Sequence, residues 1–164
     1  MRIVFLLFIA SFHFTTACAQ VSKNRFNVGV GALLAVPVYN LDYSSTGGGV
    51  DATALYGLTD KISLSADIGF TGLPGKSVYP STAIIPIRLG VRYFPTKKIY
   101  VGAKAGLGIY TILKASANHT AFSASLGYLP GKKLDAAFYY DGYTNKNTSF
   151  GYAGVRFSYY FLRQ

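Results

Sequence analysis

Few residues in this chain are equipped for chemistry. Of 164 residues only six are acids, all of them aspartate. Four, Asp51, Asp67, Asp135 and Asp141, share a pattern with four bases, Arg88, Arg92, Lys104 and Arg156: each occupies the polar side of an alternating segment. Enclosed together, such charges must pair, because an isolated buried charge is very costly. Carboxylates held by arginine are poor acid–base catalysts. His119 lies between Asn118 and Thr120 in an expected loop, near Ser116 and Ser123, yet no spacing assembles a Ser-His-acid device. A single histidine there and no glutamate give little support for a metal site. Gly47-Gly48-Gly49 lacks the Lys-Ser/Thr pair of a phosphate-binding loop. The expectation is a non-enzymatic chain with no cofactor, no cofactor-binding residues and no metal ligands.

The elements that would place those charges are strands. Ile62 to Phe70 alternates without interruption, with Ile62, Leu64, Ala66, Ile68 and Phe70 on one face and Ser63, Ser65, Asp67 and Gly69 on the other. Eight such segments follow one another, at about 25–36, 48–57, 62–71, 83–94, 99–110, 120–129, 134–141 and 150–162. Leu58–Lys61, Pro95–Lys98 and Pro130–Lys133 read as tight turns. The connections near 37–47, 72–82, 111–119 and 142–149 read as longer loops, rich in Ser, Thr, Asn, Gly and Pro. About ten alternating residues per strand, with short turns at one end and longer loops at the other, describe a transmembrane barrel. Aromatic residues collect where the oily faces end: Phe26, Tyr56, Tyr93 and Tyr128 at the short-turn end, Phe70, Phe122 and Tyr140 at the other. Two such rims are the interfacial girdles of a membrane barrel.

Composition points the same way. Charged residues make up 13% of the chain, against 18 glycines, 14 tyrosines and 12 phenylalanines; about a quarter charged is usual for a soluble domain. Residues 1–19 carry Arg2, an apolar run from Ile3 to Phe14 and a small-residue stretch, Ala17-Cys18-Ala19, the order of a secretory signal peptide. Cleavage after Ala19 leaves a domain over 20–164 without cysteine; cleavage before Cys18, as in a lipoprotein, is the other option. The formal charge of +10 sits largely at Lys23, Arg25, Lys61, Lys97, Lys98, Lys132, Lys133 and Arg163, around the short-turn rim. That location suits anionic lipid headgroups or solvated turns rather than nucleic acid.

The final strand carries a motif. Tyr152, Gly154, Phe157, Tyr159 and Phe161 fall at the positions that make this segment resemble the C-terminal assembly signal of outer-membrane barrels, although Leu162-Arg163-Gln164 follows the last aromatic. Ile87 to Pro95 and Tyr100 to Gly108 also resemble small outer-membrane β-barrel domain proteins. That resemblance implies insertion by the barrel assembly machinery, with periplasmic chaperones as transient partners, and no particular activity. The reading is therefore an all-β, eight-stranded antiparallel up-and-down transmembrane β-barrel of a bacterial outer membrane. It has a packed polar lumen, outer-membrane lipids around it, an unknown surface-loop ligand and a structural or surface-interaction role. The rivals are a soluble secreted or periplasmic barrel holding a small apolar ligand, and an outer-leaflet lipid-modifying enzyme using His119.

Overall fold

A computed structural model describes residues 23–113 and 115–163. The expected signal segment, the start of the domain at residue 20 and Gln164 lie outside these. Eight strands follow in chain order: β1 (Phe26–Tyr39), β2 (Gly47–Gly57), β3 (Ile62–Leu73), β4 (Thr82–Tyr93), β5 (Ile99–Ile112), β6 (Ala115–Tyr128), β7 (Leu134–Thr144) and β8 (Ser149–Arg163). Each pairs antiparallel with its neighbour, and β8 returns to β1 to close the barrel. Closure removes the two unpaired edges that a sheet would otherwise present. Following the register once around from Phe26, through Tyr56, Leu64, Val91, Ala103, Ala124, Tyr140 and Ala153, returns to β1 at Val36, ten residues further along. A stagger of that size requires strongly tilted strands.

The alternation sorts the side chains. Leu89 and Phe138 are 69% and 70% exposed on the outer surface, while Arg88, Asp67 and Tyr139 beside them in sequence or register are buried inside. The rival arrangement, with the oily face lining a cavity, is thereby reversed: Ile68, Leu89 and Leu107 point outward and Asp67, Arg88 and Lys104 inward.

All four longer loops are shorter than the sequence suggests, and 111–119 most of all. The connections at that end span 40–46, 74–81, 113–114 and 145–148. Residues 111–119 are not a loop: β5 and β6 stay paired up to Ile112 and Ala115. Leu113 takes a positive φ of 53° after Ile112, the left-handed conformation that tight hairpin connections favour. Residues 115–118 are all exposed. With both faces in solvent, the apolar–polar period vanishes while the hydrogen-bond ladder continues, so the periodicity ends the strand too early.

The β3–β4 ladder has a gap with a covalent cause. In β3–β4 the pairing runs Ile68 with Ile87 and resumes at Thr71 with Ile84. Pro86, in the interval, has no N–H to donate. Elsewhere the walls approach closely. A Cβ on Gly127 would meet the ring of Tyr100, whose hydroxyl is fixed on Asp135. Gly127→Ala is expected to cost about 1–3 kcal/mol, the usual penalty of overpacking, read as a lower urea midpoint in lipid vesicles.

Candidate functional site

The interior is layered from the short-turn end upward. In the lowest layer Asp135 accepts three bonds: from Arg92 Nη1 at 2.8 Å, from the Tyr100 hydroxyl at 2.9 Å and from the Tyr160 hydroxyl at 3.3 Å. The Arg92 guanidinium also lies 4.5 Å above the Tyr100 ring, a cation–π arrangement. Phe94, Tyr100, Leu129 and Ala137 form an apolar cluster at that end.

The middle layer is a chain of ion pairs. Arg88 bridges two carboxylates, reaching Asp67 Oδ2 through Nη2 and Asp141 Oδ2 through Nη1, each at 2.6 Å. Lys104 Nζ lies 3.3 Å from the other Asp67 oxygen, and Arg156 Nη1 holds Asp51 at 3.0 Å. All eight lumen charges named from the sequence are buried and each has an opposite partner. They come from six strands, so the pairs tie opposite walls together. Four aspartates against three arginines and one lysine leave no net charge in the described interior. The nitrogens outnumber the oxygens facing them: Arg92 and Arg156 each keep Nε and Nη2 without a protein partner. Buried groups of that kind retain water when the site has room.

Above the charges the packed lumen adds a layer not named from the sequence. Leu41, Leu73, Ile84, Tyr139, Tyr143, Phe150 and Tyr152 form an apolar and aromatic stopper. Tyr143 stacks on Phe150 at 5.1 Å and on Tyr152 at 5.8 Å, and the Tyr143 and Tyr152 hydroxyls bond at 3.0 Å. Tyr139 donates to the Leu34 carbonyl at 2.9 Å. Five tyrosines, at 100, 139, 143, 152 and 160, are buried in this interior beyond the charges named from the sequence. Their parity with Lys104, Asp141 and Arg156 is the signal that places them inside.

At the top the stopper opens into a cleft of about 340 Å³ lined by Asn40, Tyr43, Tyr110, Asn147, Thr148, Ser149 and Phe150. The Tyr43 and Tyr110 hydroxyls bond at 3.1 Å. Burial, and then the hydrogen bond to Tyr110, push the Tyr43 phenol well above its ordinary range, so it stays neutral. His119 is not a loop residue: it sits in β6 opposite Gly108, buried on the inner face. Its Nε2 lies 3.1 Å from Thr148 Oγ1 and 2.9 Å from Asn145 Nδ2, and Nδ1 lies 3.3 Å from the Ala117 carbonyl. Ser116 is engaged with Thr111 at 3.0 Å instead. The imidazole ties the 145–148 turn to the barrel wall. Among the described residues no group of three His, Cys, Asp or Glu side chains is placed to hold a metal.

The outer surface completes the arrangement. Phe26, Tyr56, Phe70, Tyr93, Phe122 and Tyr128 are exposed; Tyr140 is half-buried, with its ring 6.2 Å from that of Phe122. In β8, Phe157, Tyr159 and Phe161 face outward, whereas Tyr152 turns into the lumen. Gly154 lies against the Leu34 carbonyl at the β1–β8 seam, where any Cβ would collide.

No protein-family model and no curated protein matches the chain. Solved structures do. The attachment invasion locus protein Ail of Yersinia pestis superposes with a TM-score of 0.65 at 12% identity, covering 85% of this chain and 99% of Ail. Neisserial surface protein A gives 0.62 at 18% identity, with 85% and 100% covered. The N-terminal β-barrel domain of Pseudomonas aeruginosa OprF gives 0.56 at 19%, with 85% and 98% covered. The chain thus has the fold of small eight-stranded outer-membrane barrels.

Proposed function

We propose that this chain is an integral protein of a bacterial outer membrane, with a structural or surface-interaction role and no enzymatic activity. The observation that carries the reading is the inversion of a soluble protein's design. Large apolar side chains cover the outside on all eight strands, and Asp51, Asp67, Asp135, Asp141, Arg88, Arg92, Arg156 and Lys104 are buried within. Soluble monomers rarely expose contiguous apolar patches beyond a few hundred Å²; a lipid-facing band bounded by aromatic rims needs that surface. Both strand termini of the barrel lie at the short-turn end, which on this reading faces the periplasm. Lys61, Lys97, Lys132 and Lys133 stand in or beside those turns, positioned to meet anionic headgroups.

The 1–19 segment serves as the export signal in this reading, and residues 20–164 as the barrel domain. Tyr152, Gly154, Phe157, Tyr159 and Phe161 serve as the signal read by the barrel assembly machinery, after escort by periplasmic chaperones. Catalysis by His119 lacks support, because Nε2 is engaged with the 145–148 turn and Nδ1 with the Ala117 carbonyl. The names of Ail and Neisserial surface protein A favour a role at the cell surface for the 40–46, 74–81, 113–114 and 145–148 end. Membrane fractionation with gel migration before and after boiling tests the reading. Recovery with the outer membrane and a heat-dependent mobility shift is the expected result; recovery as a soluble protein without detergent would overturn it.

A further inference from the structure

We propose that the cleft at the upper mouth binds a neutral sugar, taking one hexopyranose unit between the rings of Tyr43 and Tyr110 and the amides and hydroxyls of Asn40, Asn147, Thr148 and Ser149. At about 340 Å³ the cleft lies at the small end of ligand sites. Its lining is divided between aromatic rings and uncharged polar groups. A pyranose has matching chemistry, with an apolar C–H face for a ring and a hydroxyl edge for amides. A wholly apolar guest would strip water from the remaining donor and acceptor positions of the asparagine, threonine and serine groups without replacing those bonds, which is unfavourable. An anion would find no cation, since neither Lys76 nor Lys146 lines the cleft and the Lys76 ammonium donates to the Asp42 carbonyl at 2.9 Å.

The walls are held in place before any ligand arrives, which lowers the entropic cost of binding. Tyr110 is fixed by the Tyr43 hydroxyl, by Thr82 Oγ1 at 3.5 Å, and by ring contacts with Phe150 at 5.0 Å and His119 at 5.6 Å. Asn40 Nδ2 donates to the Ser149 carbonyl at 2.9 Å, joining the first connection to the last. Asn145 Oδ1 accepts the backbone N–H groups of Asn147 and Thr148 at 2.9 and 2.8 Å. His119 locks Thr148 from below. The site draws on β5, β8 and two connections, so it exists only in the closed barrel.

The inference rests on the outward placement of this mouth, and the experiment separates the two. The protein is refolded in dodecylphosphocholine, whose headgroup is not a sugar, and titrated with methyl α-D-glucopyranoside, methyl α-D-mannopyranoside and methyl β-D-galactopyranoside. Saturation-transfer NMR follows the glycosides, and sucrose octasulfate is the anionic counter-probe. At least one neutral glycoside is expected to saturate and to be weakened about tenfold by Tyr110→Leu, with the heat-dependent gel shift retained. Asn147→Leu, at an exposed rim position, is expected to weaken it in the same sense, and Lys76→Ala to leave it unchanged. The proposal is overturned if no neutral glycoside saturates, if binding survives both Tyr110→Leu and Asn147→Leu, or if sucrose octasulfate alone binds. Labelling of Lys146→Cys on intact cells by an impermeant maleimide reports the mouth's placement independently: absence of labelling, with glycoside binding intact, overturns the outward orientation and not the site.

Discussion

Arg88→Met is expected to lower the stability of the barrel by about 3–5 kcal/mol, the cost of leaving buried charges uncompensated. Among the described residues Arg88 is the only side chain that bridges two of the ion-paired carboxylates, at 2.6 Å from both Asp67 and Asp141. Without it four aspartates face three bases. Asp67 keeps Lys104 at 3.3 Å, so the orphan is Asp141. That identifies the rescue: Asp141→Asn removes the unpaired charge and restores three acids against three bases. The double variant should recover more than half of the loss, whereas Asp67→Asn on the same background should recover less, because it frees Lys104. Urea titration in lipid vesicles, read by the heat-modifiable gel band, gives the four midpoints of the cycle. Additive losses would mean that the lumen charges are solvated individually and do not brace the walls.

Much of this interior was legible because alternation fixes direction. Arg88 and Leu89 are adjacent in sequence and point to opposite sides, and one uninterrupted stretch such as 62–70 sets the parity for its strand. Tyrosine was harder to place, since its ring suits an aromatic rim and its hydroxyl suits a polar interior. Tyr139 and Tyr140 make the point: the first is buried and bonded to Leu34, the second packs outside on Phe122. Tyr159 and Tyr160 repeat it in β8. Residue type alone assigns such pairs to one girdle, and only parity with Arg156 separates them. Beyond the apolar band the period itself disappears, which is why His119 read as a loop residue. The mouth cleft was illegible for a further reason. Its lining comes from 40–43, 110 and 147–150, and only the ten-residue stagger of the closed barrel brings these together.

The orientation of the whole wall has its own large test. Leu89 is 69% exposed near the centre of the outer band, paired across the ladder with Ala66 and Ala105. On a soluble protein, Leu→Arg at so open a position would change stability by no more than about 0.5 kcal/mol. In a membrane the same arginine must leave water at mid-depth, at a cost of about 2–4 kcal/mol, falling to about 0–1 kcal/mol at the interface. Leu89→Arg is therefore expected to lower the urea midpoint strongly, and Ile62→Arg, beside the 58–61 turn, to lower it little. Exposure works against that ordering, because Ile62 is the less exposed of the two at 39%. If solvent surrounded the barrel, the more open Leu89 would tolerate the charge at least as well. A larger loss at Leu89 can come only from a medium whose polarity depends on depth. Equal, small losses at both positions would place water around the band and remove the membrane from the account.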